Sequence, residues 1–256
     1  MKKVIVITGG SRGIGKALVC KYLEENYIVV TTGNSNYKIF ENEFKGEKNN
    51  NYTEKTGKKA GYIKNKIYYY ENDVSSQKEV MEMALDIKSK LGKVDILINN
   101  AGISYFNLLC DTKYEDYKKI MDTNIGGVYN TCYAFYNIFV NQKYGKILNI
   151  SSIFGTNGAS CEVIYSASKG AVNSFTKALS KELGTSNISV NAVSLGFVET
   201  EMNDRLTDDE KREFLTSLSI EKIISPKEVA EFIFFLTKQD NFLTGQILGF
   251  DGGYCG

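Results

Sequence analysis

Tyr165 and Lys169 stand four residues apart in a chain of 256 residues that contains no histidine. On a helix that spacing stacks the two side chains on one face. An ammonium held near a phenol favours the phenolate and moves a tyrosine toward acid/base use. A Tyr and a Lys four apart are common and usually structural, but the missing histidine gives this pair weight. It excludes serine-histidine-acid triads, histidine-activated cysteines and histidine metal sites, so acid/base work falls to Tyr, Lys, Asp, Glu or Cys. Ser152, thirteen positions ahead of Tyr165, supplies a hydroxyl able to hold a carbonyl oxygen.

The second constellation is Thr8-Gly9-Gly10-Ser11-Arg12-Gly13-Ile14-Gly15, directly behind the apolar run Val4-Ile5-Val6-Ile7 and ahead of the helical pattern Ile14, Leu18, Tyr22. This reads as strand, tight turn, helix. Glycine permits φ > 0 and close backbone approach, while the first helical N–H groups and the helix dipole face an anion. The loop is therefore predicted to bind a dinucleotide through Gly9, Ser11, Arg12, Gly13, Ile14 and Gly15. A second strand, Ile28 to Thr32, ends at Gly33, Asn34 and Ser35, and the next acid is Glu41. With no acid to grip a ribose 2′-OH, and with Arg12 nearby, the site leaves room for a 2′-phosphate, so NADPH is expected beside Asn34 and Ser35. An exposed arginine without a ligand is the plainer alternative.

These residues need elements to position them. Lys66 to Tyr70 reads as a third strand leading to Asp73 and Val74. Asp73 is either a turn aspartate or, at a strand's C-terminal end, a contact to an adenine amino group. Ser76 to Glu79 has capping-box spacing for a helix to about Leu91. Val94 to Ile98 is a fourth strand ending in Asn99-Asn100-Ala101-Gly102, small and amide residues that let a cofactor approach closely. Residues 111–143 carry two helical patterns meeting around Thr123-Asn124, where Asn124 reads ordinarily as a helix cap. The aromatic half that follows (Tyr129, Tyr133, Phe135, Tyr136, Phe139) is too apolar for a simple surface helix and predicts a face against another subunit.

Lys146 to Ile150, Ile188 to Val193 and Gln246 to Phe250 complete seven strands. One helix opens at Tyr165 and runs to about Gly184, and another is announced by the cap Ser225-Pro226-Lys227-Glu228. The polar stretch Glu201 to Lys222 suggests a substrate lid. From Asn36 to Lys66 the pattern dissolves into Asn, Lys, Glu, Tyr and Gly, predicting a solvated insertion with part of a crossover helix. The fold class is α/β, a single Rossmann-like doubly wound parallel sheet of about seven strands with helices on both faces, in one domain over residues 1–256.

A net charge of +1 gives no case for nucleic acid or an acidic membrane surface. The start, Met1-Lys2-Lys3 before four apolar residues, imitates a signal peptide, but Thr8-Gly9-Gly10 cuts the run short. No apolar run approaches the roughly 18 residues that span a bilayer. Five scattered cysteines without a CxxC fit reduced cytoplasmic thiols used in packing, not disulfides or a metal site.

Thr8-Gly9 with Gly13-Ile14-Gly15, Asn99-Asn100-Ala101-Gly102, Asn124, Ser152, Tyr165 and Lys169 together resemble the short-chain dehydrogenase/reductase family over nearly the whole chain. Within it, residues 9–15 and the final Asp251-Gly252-Gly253 are most similar to bacterial 3-oxoacyl-acyl-carrier-protein reductases. The resemblance implies NADPH/NADP+, a homotetramer and a catalytic set of Asn124, Ser152, Tyr165 and Lys169. Tyr165 would donate a proton to a carbonyl oxygen held by Ser152, Lys169 would lower the Tyr165 pKa and hold the nicotinamide ribose, and Asn124 would support a water. It also implies nicotinamide contacts from Val198 and Thr200, and a 3-oxoacyl thioester substrate of fatty acid synthesis carried by acyl carrier protein. Leu195 stands where the family usually has proline, which predicts a less rigid loop there. Lys143 and Ser186 stand where arginines are usual, so one of two basic contacts to an acidic carrier is kept. Two rival readings are an enzyme of the same fold acting on a steroid, sugar or other secondary alcohol, and a nucleotide-sensing protein that has lost activity.

Overall fold

A strand that is apolar on both sides belongs in a sheet covered on both faces, and Val4–Ile7 (β1) behaves this way. All four residues are buried, Val4 and Val6 in one hydrophobic cluster and Ile5 and Ile7 in the other. The structure, a computed structural model, describes residues 2–34, 51–55, 58–63 and 66–254. After β1 come α1 (Gly13–Glu24), β2 (Ile28–Gly33), β3 (Asn51–Lys55), β4 (Lys58–Ile63), β5 (Ile67–Glu71), α2 (Gln77–Leu91) and β6 (Ile96–Asn99). Then follow α3 (Tyr114–Met121), α4 (Gly127–Gln142), β7 (Gly145–Ser152), α5 (Val163–Leu183), β8 (Ile188–Leu195), α6 (Asp208–Thr216), α7 (Pro226–Lys238) and β9 (Ile247–Phe250).

The sheet order is β3-β4-β5-β2-β1-β6-β7-β8-β9. The seven strands from β5 to β9 are mutually parallel. One face is covered by α1 and α7 through Leu18, Tyr22, Val229 and Ile233. The other is covered by α2, α4 and α5 through Val80, Ile87, Phe135, Phe139 and Val172. Strand order reverses between β1 and β6, and in such sheets the crevice beyond the strand ends at that reversal is where ligands bind.

The insertion differs from expectation. Instead of an irregular segment, β3 and β4 form an antiparallel hairpin, and β4 extends the sheet by pairing antiparallel with β5. Residues 35–50, with part of the expected crossover helix, lie outside the described residues, as does Cys255. A second correction concerns Asn124. The two helical patterns do not break there but run through a wide π-turn, Asp122–Gly126, with Asn124 1% exposed. The periodicity of α3 and α4 slips by one residue at that turn, which a sequence pattern reads as two helices.

The surplus of aromatics on α4 is partly core. Phe135 and Phe139 are fully buried, whereas Tyr129 and Tyr133 are exposed and stack at 5.8 Å. Among the described residues, no helix is long and apolar enough to cross a membrane.

Candidate active site

The C-terminal ends of the central strands open into one cleft of about 380 Å³, within the range of small-molecule and cofactor sites. At one end lies the glycine loop. Gly9 and Gly13 take φ of +70° and +51°, which only glycine adopts without strain. A Cβ on Gly15 would fall 2.0 Å from the Gly9 carbonyl oxygen and 2.6 Å from Asn100 Nδ2. The loop is also clamped from β6. Asn100 Nδ2 donates to the carbonyls of Thr8 (2.9 Å) and Gly9 (3.1 Å), while Thr8 Oγ1 accepts the N–H groups of Asn100 and Ala101. Arg12 is the N-cap of α1 but its side chain caps nothing, and the first turn holds no acid. The first N–H groups of α1 are therefore left to face an anion. This cradle fits a dinucleotide.

Of the predicted cofactor residues, Gly9, Ser11, Arg12, Gly13, Ile14, Gly15, Asn34, Val74, Asn100, Ala101, Gly102, Val198 and Thr200 line the cleft. Ser35 lies outside the described residues. Asp73 is not on the cleft wall. Its Oδ1 accepts from the N–H and hydroxyl of Ser75 at 2.9 and 2.8 Å, the turn aspartate of the plainer reading. Leu195, expected to loosen the next loop, is buried and paired in register with both Ser152 and Phe250. Ile153 donates to its carbonyl at 3.0 Å.

At the other end, β7 delivers Ser152 and α5 delivers Tyr165 and Lys169 to the same wall. Ser152 and Tyr165 share this wall, and Ser152 Oγ accepts from Phe154 N–H at 3.2 Å. Lys169 Nζ, 5% exposed, donates to the Ile150 carbonyl at 2.9 Å and lies 5.7 Å from the centre of the Tyr165 ring. A Cβ on Gly102 would meet Asn124 Oδ1 at 3.2 Å and Lys169 Nζ at 3.5 Å, so both border one small space. Asn124 lies behind the wall, not on it. Its Oδ1 accepts from Ile103 N–H (2.8 Å) while its Nδ2 donates to the Ile103 carbonyl (2.9 Å) and Ser168 Oγ (3.0 Å). The side chain thus ties the π-turn to the loop after β6 and to α5. Functional sites recur at such π-bulges.

The electrostatics correct one expectation. Burial pushes the Tyr165 hydroxyl up to about 12; the Glu162 charge adds to this and the neighbouring Ser152 hydroxyl opposes it. Burial also pushes Lys169 down to about 8. Spacing alone implied that the ammonium would lower the tyrosine. In the fold neither group is among the causes that shift the other, and desolvation favours the neutral form of each.

Several wall residues were not singled out in the sequence. Glu162, 7% exposed, lies one turn ahead of Tyr165 and accepts from Arg205 at 2.6 Å. The Arg205 guanidinium lies 4.1 Å from the centre of the Phe106 ring. Arg205 belongs to the expected lid, Glu201 to Lys222, whose first part, residues 201–216, is here a short 3₁₀ turn followed by α6. Phe214 of α6 packs on Phe197 (5.3 Å) and Tyr254 (5.6 Å), giving this end of the cleft aromatic walls. An acid three residues before a candidate tyrosine was the only local signal. Its partner is 43 positions away in the chain, beyond the reach of pattern reasoning. Among the described residues, no cluster of three or more Cys, Asp or Glu could hold a metal.

Comparison with known proteins agrees with this geometry. A family model described as short chain dehydrogenase matches residues 3–211. The chain is 34% identical to a 3-oxoacyl-[acyl-carrier-protein] reductase FabG of Chlamydia muridarum over 99% of this chain and 97% of that protein. It is 32% identical to the FabG of Thermotoga maritima over 98% and 97%. Among solved structures it resembles ElxO with NADP bound, with a TM-score of 0.85, 31% identity and 99% of both chains covered. A tyrosine-to-phenylalanine variant of ElxO with NADPH bound gives 0.86 and 32%, again over 99% of both chains.

Proposed function

The chain belongs to the short chain dehydrogenase family, and on that premise we propose that it reduces a ketone to a secondary alcohol with NADPH, its preferred substrate being a 3-oxoacyl thioester on acyl carrier protein. The observation that carries this reading is the meeting of Ser152, Tyr165 and Lys169 on the wall of a cleft whose other end is a glycine cradle. Similarity to the FabG reductases supports the thioester, and the NADP named for ElxO supports the cofactor.

The cradle of Gly9, Gly13 and Gly15 with the α1 N-terminus would hold the pyrophosphate, Arg12 the 2′-phosphate, and Val198, Thr200 and Lys169 the nicotinamide half. Bound there, NADPH supplies hydride to the carbonyl carbon. Ser152 donates a hydrogen bond to the carbonyl oxygen as charge develops on it. Tyr165 passes its proton to that oxygen. A phenol pushed up to about 12 stays protonated at neutral pH, and an alkoxide is a far stronger base than a phenolate, so the transfer runs downhill. Lys169, tied to Ile150 on the strand that carries Ser152, fixes the helix register of Tyr165 against β7. Asn124 holds the π-turn against that helix.

We place the enzyme in the cytoplasm as a homotetramer of single-domain chains, with the exposed Tyr129 and Tyr133 of α4 in an interface. Turnover of a 3-oxoacyl-carrier-protein against a panel of free ketones, with NADPH, tests the assignment. A kcat/KM for any steroid or sugar ketone above that for the thioester would replace it.

A further inference from the structure

Glu162 is a buried carboxylate on the wall of the active cleft, and the mechanism above gives it no part. Burying a charge is costly unless it is paired. Its partner comes from none of the strands and not from its own helix but from Arg205 in the lid, at 2.6 Å. The other face of the cleft mouth joins at the same point. The loop after β6 contributes Phe106, whose ring carries the Arg205 guanidinium, and this loop is held by Asn107 N–H donating to the Cys161 carbonyl at 2.8 Å, one residue before Glu162. Two walls fastened to each other by backbone thus present one aromatic face and one carboxylate, and the lid arrives with one cation that fits both. The lid's cofactor end is tied more loosely, by Arg12 to Glu201 at 3.2 Å with both side chains 64% exposed.

We propose that Glu162 is the docking carboxylate of the lid, a positioning residue that closes the substrate end of the cleft through Arg205. This deepens the proposed reductase reading and rests on it. The same contact links closure to the acid. The charged groups around Tyr165 are Lys169 on its own helix, Glu162 at that helix's start and, across Glu162, Arg205; β7 adds the neutral Ser152. With the lid docked, the Glu162 charge is matched. With the lid away, that charge faces Tyr165 alone, and the tyrosine becomes a weaker acid.

The test uses Arg205→Gln and Glu162→Gln in the full chain, with Glu162→Asp as a variant that keeps the charge. Equilibrium NADPH binding by fluorescence should stay within about twofold of wild type for all three, since neither residue is at the cofactor end, and this also reports folding. KM for the ketone should rise roughly fivefold in both Gln variants, the size expected of a partly exposed ion pair, and hydrogen exchange over residues 201–216 should quicken. Glu162→Asp should fall between these and wild type. The alkaline limb of the rate should move in opposite directions, up in pH by about half a unit for Arg205→Gln and down for Glu162→Gln. Limbs that move the same way or stay still, unchanged exchange, or an NADPH affinity that falls as far as KM rises would each overturn the proposal. If wild type reduces no ketone, the reductase reading fails, and the exchange data alone decide whether Glu162 docks the lid.

Discussion

Lys169 Nζ lies over the Tyr165 ring at 5.7 Å but donates its hydrogen bond to the Ile150 carbonyl at 2.9 Å, so the pair shares a wall without a direct polar contact. Each group is pushed by burial toward its neutral form, Tyr165 up to about 12 and Lys169 down to about 8. On the proposed mechanism this suits an acid that keeps its proton until a stronger base appears.

Lys169 makes stability depend on pH in a defined window. The folded state titrates near 8 and the free side chain near 10.5, so between these values the unfolded chain holds more protons and stability rises with pH. The increment is complete above about pH 10.5 and is lost as pH falls through 8. Urea midpoints at pH 7, 8, 9 and 10 should show wild type gaining on Lys169→Met across the series; parallel lines would refute the buried amine.

Gly15→Ala should cost about 1–3 kcal/mol of stability and abolish measurable NADPH binding, because its Cβ would meet the Gly9 carbonyl oxygen, a backbone atom, at 2.0 Å. Gly184→Ala is the control. Its φ is −57° and nothing lies within 4 Å of a Cβ there, so stability should be unchanged or slightly raised. Thermal melts with and without NADPH compare the two.

Arg12→Ala should weaken NADPH by about ten- to a hundredfold, the worth of a charged phosphate contact, and leave NADH nearly untouched. Titrations of both cofactors measure the ratio. Equal losses would mean that Arg12 serves the loop and not the 2′-phosphate.

The parallel sheet could be read in the sequence because its strands are buried on both faces, so runs such as Val4-Ile5-Val6-Ile7 carry the signal themselves. The α7 start was equally readable, since Ser225 and Glu228 close their capping box through local contacts. Tyr165, Lys169 and Ser152 were found by residue type and spacing, but the direction of their pKa shifts was not, because spacing carries no information on burial. Asn124 was assigned to the site through resemblance. Its place in a π-turn escaped because one extra residue in a continuous helix looks like a cap. Glu162 and Arg205 escaped for another reason, a pairing that only the tertiary fold creates. Between Asn36 and Lys66, charged and polar strands β3 and β4 at a sheet edge lack the β-branched signal of buried ones.

The assembly is accessible to light scattering. The exposed stacked pair Tyr129 and Tyr133 on α4 should be covered in a homotetramer. Tyr133→Glu should then shift the mass toward smaller species, whereas a wild-type monomer at micromolar concentration would remove the interface reading.

The central claim is that Tyr165 is the proton donor in a chain without histidine, and Tyr165→Phe tests it most directly, with steady-state turnover measured beside NADPH titration on the same sample. The ring and its packing remain, so NADPH affinity should stay near wild type. Turnover should fall by at least about 10²-fold, the lower bound for a working general acid, and further because the developing charge is left with Ser152 alone. Retention of more than about a tenth of wild-type turnover, against that 10²-fold bound, would contradict the mechanism.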